Sequence, residues 1–338
     1  GFNYLGPVDG HNTEELMEVI TRARLNSEKV PFIHVITNKG QGFAPAEKDP
    51  VGYHQPSTPT PTTKTYSQVF CQTLAELMEA DERIVAISAA MLEGTGLSAI
   101  KERFPKRVFD VGICEQHAVS MAAGMASGGL RPVVCIYSTF LQRAFDQILH
   151  DVCLNDLPVV FAVDRAGIVG QDGKTHHGLY DLAYMRLIPN MVVSVPRDEN
   201  ELRHLLFSAL KQQHPFAIRY PRGGVEGVEL EPLREIEVGK AEVVREGKDI
   251  CLIAVGRLVH VALGAARELA LCGIEAAVIN LRFIKPLDPA VKESDNFEHV
   301  LVMEEATEIG GAMAAIRELV KTGGLHHIAV GDRFLEHG

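Results

Sequence analysis

From Tyr66 onward the chain alternates short, unbroken Val/Ile/Ala runs with stretches of helical periodicity, and this alternation limits the fold more than any other feature. A strand with no polar face has to be covered on both sides, so a run of this kind flanked by helices predicts a parallel sheet between two helical layers. The pattern predicts a helix from Tyr66 to about Met78, strand Ile84–Ser88, a helix near Leu97–Phe104, strand Val108–Val111 and a long helix opening on Glu115. Strand Val133–Tyr137, a helix at about Leu141–Val152, strand Val159–Val163, a Gly-rich loop, strand Val192–Val195, helix Asp198–Gln213 and strand Phe216–Arg219 follow.

Gly223–Val238 loses this periodicity, carries several Glu and reads as a connector. Beyond it, strand Ile250–Val255, helix Val259–Cys272, strands Ala276–Leu281 and His299–Glu304, helix Gly310–Thr322 and strand Ile328–Val330 predict a smaller α/β unit. Before Tyr66, GPVDG reads as a turn, Asn12 or Thr13 as the cap of a helix through Leu16, Val19, Ile20 and Ala23, and Pro31–Thr37 as a strand. QPSTPTPTTKT stiffens the chain without packing, which predicts a linker. The expected division is 1–54, linker 55–65, 66–222, connector 223–240, and 241–338.

With 46% hydrophobic residues, 23% charged residues and a net charge of −11, the 338 residues suit a folded acidic protein and argue against broad nucleic-acid or anionic-membrane binding. Six cysteines without a CxxC pair, mostly in apolar runs, read as buried reduced thiols of a cytosolic protein. No apolar run reaches the roughly 18–20 residues of a membrane span. A start at Gly1 without Met suggests a fragment.

Glu115 falls just past the carboxyl end of a strand, where open parallel sheets place ligands, although the helix dipole alone also favours Glu there. Tyr137 and Phe140 lie at the same sheet edge, as core filling or as an aromatic wall. Asp164–Tyr180, DRAGIVGQDGKTHHGLY, crowds Arg165, Asp172, His176 and His177 among glycines, a composition suited to a phosphosugar site. Arg222, after the last strand of the sheet, would add a second guanidinium fork for phosphate. Adjacent His176 and His177 with no third ligand make a weak metal signal, so no metal ligand is expected. Ala122, Ala123, Gly124, Ala126 and Gly128 give their helix a nearly bare surface, suited either to packing inside the domain or to a homodimer contact.

DVGICEQHAV, IYSTFLQRAFDQILHDV, DRAGIVGQDGKTHHG and RYPRGG, with GPVDGHN and GDRFLEHG at the two ends, resemble the 1-deoxy-D-xylulose-5-phosphate synthase family of the thiamine-diphosphate-dependent transketolase superfamily. The resemblance implies the tail of a first α/β domain, a parallel-sheet pyrimidine-binding domain and a smaller transketolase C-terminal-like α/β domain. It implies decarboxylative condensation of pyruvate with D-glyceraldehyde 3-phosphate, opening the non-mevalonate isoprenoid route and feeding thiamine and pyridoxal synthesis. By the same resemblance Glu115 holds the aminopyrimidine, Ile113 bends the cofactor, Phe140 stacks on it, and Met91 and Lys39 join the cofactor site. Asp172 and His176 would stand near the reacting groups, and Tyr137, Arg143, Arg165, Arg222 and His54 would bind substrate. Arg143's helical position also suits an ion pair with Asp146 or Asp151. The family's Gly-Asp-Gly and following Asn, which hold Mg²⁺ and the diphosphate, are not in this chain, so alone it is expected to be inactive. The rival readings are another superfamily enzyme, such as a 2-oxoacid dehydrogenase β chain, and a catalytically silent assembly subunit.

Overall fold

The computed structural model describes residues 1–26, 28–54 and 64–336, in two compact units, Gly1–Thr62 and Thr63–Gly338. Of the linker expected at 55–65, only Lys64 and Thr65 fall within the described residues.

In the first unit β1 (Asn3–Asp9) pairs in parallel with β2 (Pro31–Ile36), joined by helix α1 (Thr13–Leu25). Asn12 caps α1 by accepting from the Glu15 N–H. GPVDG, expected as a turn, is instead mostly strand, because Val8 and Asp9 pair with Val35 and Ile36 of β2 beyond a register irregularity between Leu5 and Val8. The turn comes after it, at Gly10 and His11.

The second unit holds two sheets. The larger contains β3 (Ile84–Ser88), β4 (Val108–Asp110), β5 (Arg131–Tyr137), β6 (Val160–Ala166), β7 (Val192–Ser194) and β8 (Phe216–Pro221), all parallel, in the order β7-β8-β6-β5-β3-β4. The smaller contains β9 (Glu242–Arg245), β10 (Ile250–Ala254), β11 (Ala276–Asn280), β13 (His299–Thr307) and β14 (Gly324–Val330), parallel except for β9. β12 (Phe283–Lys285) lies between β11 and β13 in sequence, yet adds an antiparallel edge to the larger sheet beside β7. β9 and β12 have no apolar run long enough to announce them.

Alternation along β6 shows why these runs need two helical layers. Val160 and Ala162 pack into a cluster with helix α2 (Tyr66–Ala80), while Phe161 and Val163 face Ala118, Val119 and Ala122 of helix α4 (Glu115–Ser127). Each fully buried Val, Leu or Phe contributes about 1.5–3 kcal/mol. A reciprocal cap starts α2: the Thr65 hydroxyl accepts from Gln68 N–H and the Gln68 side chain accepts from Thr65 N–H. The small residues of α4 pack against its own domain at Ala118, Ala122, Ala123 and Ala126 and leave Gly124 exposed.

The helix expected at Leu141–Val152 is a composite: helical Ser138–Leu141, 3₁₀ Gln142–Ala144, helical Phe145–Gln147 and π-helical Ile148–Cys153. Helix α3 (Leu97–Arg103), helix α5 (Asp181–Leu187), helix α6 (Glu199–Lys211), helix α7 (Leu258–Leu271) and helix α8 (Ala312–Leu319) complete the layers. Cys71, Cys135, Cys153 and Cys251 are buried free thiols, whereas Cys114 and Cys272, expected to be buried, are exposed because one precedes a helix mouth and the other ends α7. Among the described residues no helix is long and apolar enough to cross a membrane.

Candidate active site

The parallel strands of the larger sheet all end on one edge, and the candidate residues follow those ends. After β4 the chain must turn sharply, and Gly112 does so with φ +71°. Asp110 braces the turn, accepting from Gly112 N–H at 3.0 Å and Ala90 N–H at 2.8 Å. Ile113 is thereby left 74% exposed, while Glu115, the first residue of α4, is 1% exposed.

The Glu115 Oε2 is buried and has no hydrogen-bond partner. Arg143 Nη1 stands 3.5 Å away, within ion-pair range but forming no hydrogen bond. Arg143 is thus directed to Glu115 and not to the expected Asp146 or Asp151, which engage His150 and Ser120 instead. A buried carboxylate oxygen without a hydrogen bond is costly, so this oxygen is set up to receive a donor.

Beside it, the chain leaving β5 builds an aromatic wall. Tyr137 stacks on Phe140 with centroids 5.9 Å apart, and His176 meets the Phe140 edge at 5.2 Å. Met91 is nearly buried and its Sδ accepts from Tyr137 N–H at 3.4 Å. Gly94 lies under the Tyr137 hydroxyl, where a Cβ would meet the oxygen at 1.5 Å. Burial raises the Tyr137 pKa, with Arg165 opposing the shift, so the hydroxyl stays protonated.

At the end of β6, Arg165 adopts φ 55° and lays its guanidinium 4.2 Å over the Tyr137 ring. Asp164 holds it there, accepting from the Arg165 N–H at 2.7 Å and from Nη1 at 2.9 Å, while Ser67 Oγ donates to Asp164 at 2.8 Å. Nη1 also donates to Gly94 O, and Nε is buried without a partner. Burial raises the Asp164 pKa, although Arg165 and Ser67 pull it down.

The loop beyond is pinched at its neck: Gly167 and Gly178 exchange both backbone hydrogen bonds at 2.8 Å. Inside it His177 is buried, accepting from Val169 N–H at its Nδ1, with Nε2 left without a partner. His176 is held by Thr175 Oγ1 at 2.9 Å. Arg222 ion-pairs with Asp172, so one strong cation and one acid share the loop mouth. Arg219 points the other way and is buried against Asp181 at 2.8 Å.

Glu115 with Arg143, and Tyr137 with Phe140, His176 and Arg165, therefore form contacting sets, and Asp172 forms another with Arg222. Lys39 and His54 belong to the first unit, where Lys39 Nζ and His54 Nδ1 are 2.7 Å apart. Asp110, Gly94, Asp164 and Ser67 were not anticipated; their roles come from contacts between distant segments that no local spacing announces. Among the described residues no group of three or more His, Cys, Asp or Glu is placed to hold a metal.

Three family models match the chain: transketolase, pyrimidine binding domain, over residues 62–226; transketolase, C-terminal domain, over 239–331; and 1-deoxy-D-xylulose-5-phosphate synthase over 1–37. Proteins named 1-deoxy-D-xylulose-5-phosphate synthase from Desulforudis audaxviator and Halothermothrix orenii are 49% and 50% identical to it across the whole chain. The chain spans 56% of the length of each. Among solved structures, one described as split gene transketolase, inactive beta4 tetramer, aligns with TM-score 0.73 and 32% identity, covering 80% of this chain and 91% of that one. A transketolase from Pichia stipitis aligns with TM-score 0.63 and 20% identity over 83% of this chain and 43% of its own, a likeness of fold.

Proposed function

The chain belongs to the 1-deoxy-D-xylulose-5-phosphate synthase family, and from that premise we propose that the full-length protein condenses pyruvate with D-glyceraldehyde 3-phosphate, releasing CO₂ and forming 1-deoxy-D-xylulose 5-phosphate. The observation that carries this reading is the buried Oε2 of Glu115, which makes no hydrogen bond and has Arg143 at 3.5 Å, next to an exposed Ile113. A structural glutamate so deeply buried would have its oxygens satisfied.

The residues fit thiamine diphosphate, the family's cofactor. Glu115 would hold its aminopyrimidine by a hydrogen bond at Oε2, Phe140 would cover the ring face, and Ile113 would give apolar contact. When bound, the cofactor supplies the electron-accepting carbon that a 2-oxo acid needs in order to lose CO₂. Burial of Glu115 strengthens that hydrogen bond by excluding water. Arg222 and Arg165 would hold the acceptor's phosphate, and in this account the Arg222–Asp172 pair opens as phosphate arrives, leaving Asp172 and His176 beside the acceptor's polar groups. Tyr137, kept neutral, serves as a hydroxyl donor. Arg143, which faces Glu115, acts on the cofactor side.

We assign residues 1–54 to the tail of a diphosphate-binding domain, 66–222 to the pyrimidine domain and 241–338 to the C-terminal domain. Mg²⁺ and the diphosphate would be held by parts of the full-length protein outside this chain. The exposed Gly124 of α4 suits a homodimer contact, and the free cysteines suit a reducing cytosol. The test is CO₂ release from pyruvate by the full-length protein with thiamine diphosphate and Mg²⁺. Strong stimulation by D-glyceraldehyde 3-phosphate is expected; release that ignores the aldehyde contradicts the synthase reading, and no release contradicts both it and the wider superfamily reading.

A further inference from the structure

The loop carrying Asp172 and His176 is anchored from outside its own sheet. Its neck is the Gly167–Gly178 pair, and the element laid against that neck is β13, from the smaller sheet. Glu305 of β13 accepts the Ile168 N–H at its Oε1, across 137 residues of sequence. Its side chain lies flat on Gly167: a Cβ at that glycine would stand 2.8 Å from both the Glu305 carboxyl carbon and Oε2. Gly167 also has φ +80°, so backbone conformation and the closeness of Glu305 both disfavour a side chain there. The backbone completes the clasp. Arg219 Nη2 donates to Gly178 O at 2.9 Å and to Glu305 O at 2.7 Å, and Thr307 N–H donates to Leu179 O at 2.9 Å.

From Gly170 to Thr175 the contacts among the described residues are of another kind. Thr139 Oγ1 donates to Thr175 O, Asp172 meets Arg222, and Lys174 reaches Glu336 at the surface. The direction in which the loop leaves the sheet is therefore set at its neck, where the Glu305 carboxylate meets the Ile168 N–H at 3.3 Å and rests against Gly167. Buried Asp181, held by Arg219, fixes the same corner from the other side.

We propose that Glu305 is a positioning residue through which the C-terminal domain sets the pose of the loop bearing Asp172 and His176, and so the fit of the phosphorylated acceptor. The acceptor part of this inference rests on the function proposed above; the anchoring part does not. Glu305 is not a catalytic residue, since it contacts the loop's backbone and not the candidate reacting groups.

Two measurements separate the parts. Amide hydrogen exchange of the 338-residue chain is compared for the wild type, Glu305→Ala and Glu305→Gln. Glu305→Ala is expected to speed exchange of Ile168 and the 167–178 amides at least tenfold while β6 and β10 stay protected. Glu305→Gln, which keeps an acceptor oxygen, should restore most of that protection. Unchanged loop exchange in Glu305→Ala, or loosening spread evenly over the smaller sheet, overturns the anchor. In the full-length protein, Glu305→Ala should raise the KM for the aldehyde several-fold and leave the KM for pyruvate unchanged. A loosened loop with an unchanged aldehyde KM overturns the acceptor role while leaving the anchor standing.

Discussion

Glu115 and Glu304 are both buried beside helix mouths of the second unit, 1% and 2% exposed, but Glu115 is the first residue of α4 whereas Glu304 lies within β13 and aims its carboxylate at the start of α8. Glu304 is closed by its neighbours: it accepts from Ala312 N–H at 2.7 Å and Met313 N–H at 3.0 Å, the first turn of α8, and pairs with His327 Nε2 at 2.9 Å. Gly311 leaves room for it, since a Cβ there would meet the carboxylate. Glu115 has the same burial and the same helix-dipole advantage, yet its Oε2 has only Arg143 nearby and no hydrogen bond. Burial and position therefore do not distinguish a carboxylate that holds the fold from one held ready for a ligand; the count of satisfied oxygens does.

The largest expected effect comes from Glu115→Ala in the full-length protein. Turnover should fall about 10³-fold, in the range of a lost proton-handling group, while thermal stability hardly moves because no protein hydrogen bond to Oε2 is lost. Retained turnover would collapse the contrast. Glu304→Ala should do the reverse: urea denaturation should register a loss of about 2–4 kcal/mol, since two helix N–H groups and His327 lose their acceptor. Stability within 0.5 kcal/mol of wild type would show that the satisfied oxygens are not what matters.

Asp172 lies between the two extremes, because its partner Arg222 is only partly buried and can leave. Arg222→Ala should cost acceptor binding on the order of 2 kcal/mol, about a 30-fold rise in the aldehyde's KM, with pyruvate's KM unchanged. Equal acceptor saturation in wild type and variant would remove Arg222 from the phosphate site.

Asp164 gives the smallest and most specific effect. Its folded pKa is raised by burial, so between the ordinary carboxylate value and the raised one the native state keeps a proton that the unfolded chain has lost. Stability should then fall as pH rises through that window and level off above it, the opposite of a salt-bridged carboxylate with a depressed pKa. Asp164→Asn should flatten this slope in denaturation midpoints measured across mildly acidic pH; an unchanged slope would assign the dependence to another group.

The sheet was legible because a run such as Val159–Val163 has no polar face, and only a strand between two helical layers can bury it. The strand-to-helix junction at Glu115 and the loops after β5, β6 and β8 followed from the same alternation. β12 did not, because its three residues acquire meaning only beside β7, some 90 residues earlier. The composite helix from Ser138 to Cys153 was hidden as well, since its apolar spacing suits an ordinary helix and the π-helical turn is a matter of packing. In the site, residue types and their order were visible, but which acid meets which base was not. Arg143 had two plausible partners further along its own helical stretch, Asp146 and Asp151, and chose a third, Glu115, on another element. Asp164 and Glu305 looked like ordinary acids because their contacts, to a neighbouring Arg backbone and to a loop 137 residues away, exist only in the folded chain.

The most direct test of the central contrast is Glu115→Gln, with melting temperature and CO₂ release from pyruvate read on the same preparation of full-length protein. A neutral side chain of the same shape removes the buried carboxylate and its acid–base function together. An unchanged or higher melting temperature with CO₂ release nearly abolished is expected. A melting temperature several degrees lower with CO₂ release intact would make Glu115 a structural glutamate like Glu304.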